Sequence, residues 1–497
     1  LDTKASPYLL DLGLGPLPSR DLSNINGSVA GAITKRNGLV TFASPATALT
    51  SVFASEATPT NALVGATGTT LVSVTTAGAV ASIKTGLTSN LRWEFVSAPV
   101  VSSQGPVFGM NGTDTPQQWS GATAGTATVA WTSASGGVAV PNGKYCIYAN
   151  NQVFVSGVTA TPSRVFWSAI ADPTNWDPAS LTGSGFEDFD PDDGEAITAI
   201  GVLGAYILVF KPRKMWLITN VATAATRRVS TSIGCVAHRS VASGAEGTYF
   251  VSEDRGVYVT NGTKITSISD VIQPTLDAVD GQRSKASAVY FNGHYYLSVA
   301  GAGSAPNDTV LDWDESLNSW WRHSFGSNQF AIWHPTGPTA GIFSAKTTAA
   351  IVDQCFVKGV TVDNGTPFTW YWRGPWQSPS YFRRRLFPTQ YYRKRLKQVR
   401  IDGSGTVDFS LAKDFAAVET LISPNMLASL AGTNFGGSQP FGGPQPFGGA
   451  SSIHRARVYS LGVANAFSMV FSATSTTADN VASYLMILHD RKDLVTT

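Results

Sequence analysis

Ten residues, FEDFDPDDGE from Phe186 to Glu195, hold the densest carboxylate cluster of the chain. Asp188, Asp190 and Asp192, with Asp193 and Glu195, offer the oxygen ligands that a hard cation such as Ca²⁺ takes. An EF-hand loop, however, needs Gly at position six and Glu at twelve. Counted from Asp188, those positions are Asp193 and Ala199. The competing reading is a solvated loop between two sheets, with no metal bound.

Other reactive arrangements find less support. Glycoside hydrolysis needs two carboxyl groups facing each other about 5–10 Å apart. Asp172, Asp254, Asp312 and Asp314 fall where Asp serves turns, and sequence cannot pair them in space. The six histidines, His238, His294, His323, His334, His454 and His489, stand apart, and no GxSxG elbow accompanies them. Neither a phosphate-binding GxxxxGK[ST] nor a dinucleotide-binding glycine pattern is present, so no cofactor is expected. These absences point to a protein that is not an enzyme.

The strongest charged feature is RRRLFPTQYYRKRLKQVR, Arg383 to Arg400, with eight Lys or Arg among its eighteen residues. Such a basic and aromatic mixture can hold a nucleic-acid backbone. Its alternation instead fits strands with charge on one face, and Arg383, Arg384, Arg385, Arg393, Lys394 and Arg395 read as a surface for docking a protein partner.

The elements that must position these residues are short strands. Lys144 to Ile233 runs through KYCIYANNQVFVSG, PSRVFWSAIADPTNWDP and EAITAIGVLGAYILVFKPRKMWLIT, alternating apolar and polar residues between Gly, Pro, Asn and Asp turns. The rhythm repeats about every 40 residues, a period that signals a β-propeller. Blades are expected over 49–87, 93–131, 143–176, 197–235, 240–272, 286–322 and 330–360. That is a count of seven within a range of six to eight. Asn-Gly pairs at 111–112, 261–262 and 292–293 place φ > 0 where tight hairpins need it. The tryptophans of DWDESLNSWWR, Asp312 to Arg322, are expected to cover the joint between blades.

Composition agrees with an all-β chain. Gly occurs 48 times and Pro 26 times in 497 residues, and charged residues make up 14%, against about 25% in ordinary soluble domains. So few charges suggest a surface largely covered by partners. A net charge of +2 excludes a chain-wide basic field for holding nucleic acid. Cys146, Cys235 and Cys355 have no metal spacing and read as buried free thiols, which suits assembly in a reducing cytoplasm. No apolar run is long enough to span a membrane, and the first thirty residues lack the pattern of a signal peptide.

Three regions follow. Residues 1–38 read as an N-terminal arm that docks on the C-terminal domain or a neighbour. Residues 39–362 form the propeller, and 363–497 a C-terminal β-sandwich-like domain. Within the last, GGSQPFGGPQPFGG at 436–449 cannot build a core, and its Phe441 and Phe447 are candidates for a channel gate.

The ordered set PSRVFWSAIADPTNWDP, FEDFDPDDGEAITAIGVLGAYILVFKPRKMWLIT, RVSTSIGCVAHRSV and GTYFVSEDRGVYVTNGTKITSISDVIQPTL resembles the tail nozzle or hub proteins of short-tailed bacteriophages, the tail tubular protein B group. It spans roughly Tyr145 to Leu276 and none of it is catalytic. The resemblance implies a homohexamer in the virion tail, assembled in the host cytoplasm, that extends and closes the channel through which double-stranded DNA is ejected into the host. It implies docking to an adaptor or tube ring above and to tail fibres or spikes. The QPFGG insert and the arm depart from the family pattern. The competing reading is a monomeric receptor- or glycan-binding propeller, or a glycan hydrolase.

Overall fold

A computed structural model describes Ser19 and residues 21–26, 32–55, 61–98, 105–133, 138–179, 183–254, 256–279, 282–301, 303–304, 306–346, 348–376, 394–414, 419–425, 454–464, 467–476 and 479–490. They fall into two compact units. One comprises Val40–Trp320 and Ser324–Cys355, the other Leu1–Leu39, Trp321–His323 and Phe356–Thr497.

The first unit is a β-propeller. Seven four-stranded antiparallel sheets are present among the described residues. Their innermost strands, beginning with Leu49–Ser55 of blade 1 and ending with Ser327–Trp333 of blade 7, each touch the next, and the last touches the first. Blade 3 is made of Tyr145–Ala149, Gln152–Val158, Thr161–Trp167 and Gly185–Asp188, and blade 4 of Ala199–Leu203, Tyr206–Phe210, Met215–Asn220 and Ala225–Ser230. Blade 3 thus continues past its expected end at Trp176, because its outer strand is the first part of the acidic cluster. Blade 7 takes only three strands from residues 327–357 and is completed by Gly38–Ala43 from the other end of the chain. That closure leaves no sheet half-made.

Apolar clusters join neighbouring blades. Trp93, Phe95 and Trp119 of blade 2 pack with Ala62, Val64 and Leu71 of blade 1, while Phe154 and Trp167 of blade 3 pack with Ile200, Val209 and Trp216 of blade 4. Tryptophan N–H groups stitch three other joints. Trp131 donates to Pro173 O at 3.0 Å, Trp320 to Ile268 O at 2.6 Å and Trp333 to Asn61 Oδ1 at 2.5 Å. Trp320, in the DWDESLNSWWR hairpin, therefore does cover a joint.

The three Asn-Gly pairs do not behave alike. Asn292 and Gly293 have φ of 52° and 83° and form a two-residue hairpin turn between Ser287–Phe291 and His294–Val299. At the other two pairs only the glycine has φ > 0, and the Asn side chain caps the turn. Asn111 Oδ1 accepts from Thr113 N and Asp114 N, and Asn261 Oδ1 from Thr263 N and Lys264 N.

The second unit has two five-stranded sheets. One contains Asp21–Ser23, Phe368–Arg373, Phe467–Ser475, Asp408–Lys413 and Thr420–Ser423; the other contains Ile25–Asn26, Ile33–Lys35, Asn480–Asp490, Lys394–Ser404 and His454–Ala464. Their common core includes Leu22, Ile25, Trp370, Val399, Ile401, Phe409 and Phe471. The described part of the expected arm is therefore strand. Asp21–Ser23 pairs with Tyr371–Arg373, and Ile33 pairs with Val481. Strands of two or three residues are too short to show a period, and only the burial of Leu22 and Ile25 betrays them.

Candidate functional site

The acidic cluster is held by cations. Arg164, which faces Asp188 across the strands of blade 3, donates to it twice, at 2.7 and 2.6 Å. Asp190, at φ 41°, receives Arg228 Nη2 at 2.5 Å and Lys214 Nζ at 3.3 Å. Asp193 receives Lys211 Nζ at 2.5 Å and Lys214 Nζ at 2.7 Å. The Lys211 side chain is fully buried and also donates to Asp190 O. Burial works against the Asp193 charge, but the two lysines outweigh it and hold the carboxyl well below its usual range. The Arg164 hydrogen bond lowers Asp188 likewise.

This arrangement locates the three metal candidates. Asp188 and Asp190 are occupied by arginine and lysine, and Asp192 is exposed on a single 3₁₀ turn, Pro191–Asp193. A divalent ion would have to displace Arg164 from Asp188, and Arg228 and Lys214 from Asp190. Among the described residues no three His, Cys, Asp or Glu converge. The segment LVFKPRKMW supplies the clamp: Lys211 and Lys214 flank the turn between the second and third strands of blade 4, which aims both back at blade 3.

The propeller axis carries a second buried pair. Arg239 lies on a short 3₁₀ turn, His238–Ser240, between blades 4 and 5 and is 7% exposed. Its guanidinium donates to Glu94 Oε1 at 2.6 Å, Thr50 O at 2.6 Å, Asn328 O at 3.3 Å, Ser51 Oγ at 2.7 Å and Trp93 O at 3.0 Å. Five donors thus reach blades 1 and 2 and the start of blade 7 from the far side of the ring. Beside it, the His238 ring packs on Tyr145 with centroids 4.8 Å apart and accepts from Ile200 N, and burial lowers its pKa. Arg92 donates to Ser284 O and Lys285 O, and burial together with the Arg239 charge brings it down to about 10. Beside Arg239 is a pocket of about 250 Å³ lined by Glu94, Ile147, Ile200, His238, Arg239 and Phe330.

The remaining candidates resolve as follows. Asp172 Oδ1 accepts from Thr174 N and Oγ1, Asp254 from Gly256 N and Tyr258 Oη, and Asp314 from Ser316 N and Leu317 N, so each closes its own turn. His294 is not solitary: its Nδ1 lies 2.8 Å from Asp312 Oδ1 and its Nε2 4.0 Å from Asp314 Oδ2. Lys394 and Arg395 open the strand Lys394–Ser404, which pairs on both sides and buries Leu396, Val399 and Ile401. Arg383, Arg384, Arg385, Arg393, Phe441 and Phe447 lie outside the described residues. The three cysteines are buried thiols outside any disulfide among the described residues. No described helix is long and apolar enough to cross a membrane. Sequence reading missed Glu94 and Lys211. A lone Glu opening a strand and a Lys ending an apolar run carry no local mark of burial.

No protein-family profile and no curated protein matches the chain. Among solved structures it is similar to Saccharomyces cerevisiae Sqt1, with 9% identity and a TM-score of 0.41 over 64% of this chain and 98% of that one. It is also similar to YCF48 bound to D1 peptide, with 7% identity and a TM-score of 0.40 over 66% and 99%.

Proposed function

We propose that this chain is a structural part of a short-tailed bacteriophage tail, a nozzle or hub that extends and closes the DNA-ejection channel and docks adaptor and fibre or spike proteins. The observation that carries this reading is the ordered motif set from Tyr145 to Leu276, in which the conspicuous polar residues act as fasteners. DPTNW holds the Trp131 and Trp176 N–H groups through Pro173 O, LVFKPRKMW clamps the acidic segment, and GCVAHRS delivers Arg239 to the axis. Motif residues spent on tying blades together suit building material rather than a catalyst.

The plugged axis constrains how such a part would work. Arg239 spans the propeller interior from between blades 4 and 5 to blades 1, 2 and 7, which leaves no bore for a duplex there. The channel is therefore formed between copies in a closed ring, six in this reading, and DNA crosses it without sequence-specific contacts.

The test is the mass of the purified full chain by native mass spectrometry and light scattering, together with tracing of the chain in intact tails by cryo-electron microscopy. A hexameric ring around the channel is expected. A stable monomer that cleaves surface polysaccharide would overturn the proposal.

A further inference from the structure

Asn-Gly occurs seven times in the chain, the three hairpin pairs included, with its Asn at 26, 37, 111, 142, 261, 292 and 364. Glycine has no Cβ to shield its own amide nitrogen. That nitrogen can attack the preceding Asn side chain when its N–H is unbonded, the side chain is untied and solvent reaches both. The pairs differ on each count.

Three of the glycine amides are already spent. Gly38 N donates to Val360 O at 2.6 Å, Gly143 N to Pro141 O at 3.2 Å and Gly262 N to Thr260 Oγ1 at 3.1 Å. Two other pairs are guarded at the asparagine. Asn111 is 6% exposed, accepts from Thr113 N and Asp114 N and donates to Asp114 Oδ2 at 2.8 Å, and Asn364 has its Oδ1 shut away from solvent. Gly27, which follows Asn26, lies outside the described residues.

Asn292 differs from these five. It is exposed, its side chain makes no hydrogen bond among the described residues, and the Gly293 N–H has no acceptor there. Apart from its chain neighbours, nothing lies within 4 Å of the point where a Cβ on Gly293 would stand. Gly293 O accepts from Glu315 N at 3.0 Å, which tethers the turn without using the attacking nitrogen.

We propose that Asn292 is a site of spontaneous deamidation, the fastest among the described pairs. Gly293 N bonds to Asn292 Cγ, the Cγ–Nδ2 bond breaks, and Nδ2 leaves as ammonia with the amide proton. Water then opens the succinimide. Addition at Cγ gives an aspartyl residue, and addition at the main-chain carbonyl carbon gives an isoaspartyl one. Either product adds a negative charge. The isoaspartyl product also adds a methylene to a two-residue loop that has no slack, so Phe291 and His294 lose their facing register. The site stands on this turn alone and is independent of the ring-building reading.

The full folded chain is aged in warm, mildly alkaline buffer, and peptide mass spectrometry with electron-transfer fragmentation reads the conversion at each pair. Position 292 is expected to outrun the other five described pairs by about tenfold, the rate cost of one hydrogen bond that must break first. In urea that preference should vanish, because the fold and not the local sequence makes it. Asn292→Asp carries the charge without the extra methylene, so the aged wild-type chain is expected to unfold at a lower temperature than this variant. Faster conversion at any other described pair, the same preference in urea, or an aged chain as stable as the variant would each overturn the proposal.

Discussion

Arg239 commits all of its N–H donors to partners on three other blades, and its charge is answered by one buried carboxylate, Glu94. Removing one member strands the other in a poorly solvated place. Arg239→Met is therefore expected to cost about 3–5 kcal/mol in urea unfolding, and adding Glu94→Gln should recover part of it. Arg239→Lys keeps the charge but loses the fork that meets several blades at once, so it should rescue poorly.

Two further residues set how stability depends on pH. Burial opposes a charge on His294, yet the Asp312 hydrogen bond and the charges of Asp312 and Asp314 raise its pKa above the ordinary 6.5. A raised folded pKa contributes stability that is complete below the unfolded value and is lost as pH rises through the folded one. His294→Gln should flatten the loss of stability that begins as pH rises past 6.5, and an NMR-titrated imidazole pKa under 6.5 would contradict this. Asp193 is the opposite case. Its depressed pKa contributes stability present above the ordinary 3.8 and lost as pH falls through the folded value. Asp193→Asn should remove that acid-side loss while lowering stability at pH 7.

At the scale of elements, ring closure depends on Gly38–Ala43 standing as the outer strand of blade 7. Replacing it with a Gly-Ser run of equal length would leave Val352–Val357 with an unpaired edge. The expected result is concentration-dependent association seen by sedimentation; a variant that stays at the wild-type mass would refute that role. The Asn292-Gly293 turn fixes the register of blade 6. Gly293 sits at φ 83°, so Gly293→Ala should cost about 1–2 kcal/mol by denaturant unfolding. The Asn-Gly pairs were visible in the sequence, but which became two-residue hairpins was not, because loop length and side-chain capping decide it.

For the whole molecule, Cys146, Cys235 and Cys355 report on different parts of the ring: blade 3, the linker after blade 4 and blade 7. Burial raises the Cys146 thiol and pushes Cys235 up to about 11, so the reactive thiolate is scarce at neutral pH. A thiol reagent should leave the native chain unlabelled and modify all three once it unfolds. Early labelling of one cysteine alone, followed by mass spectrometry, would show that the ring opens locally rather than as a unit.

Strand alternation, turn residues and a period near 40 were enough to place most of the blade strands, because those signals arise from neighbours in sequence. Where each strand found its partner was decided elsewhere. Gly38–Ala43 completes a sheet begun near residue 327, Ile33–Lys35 joins Asn480–Asp490, and Arg239 meets a carboxylate 145 positions away. A period of two states that a segment has a buried face but not what lies against it, and the burial that turns an ordinary Glu or Lys into a fastener exists only once the ring has closed.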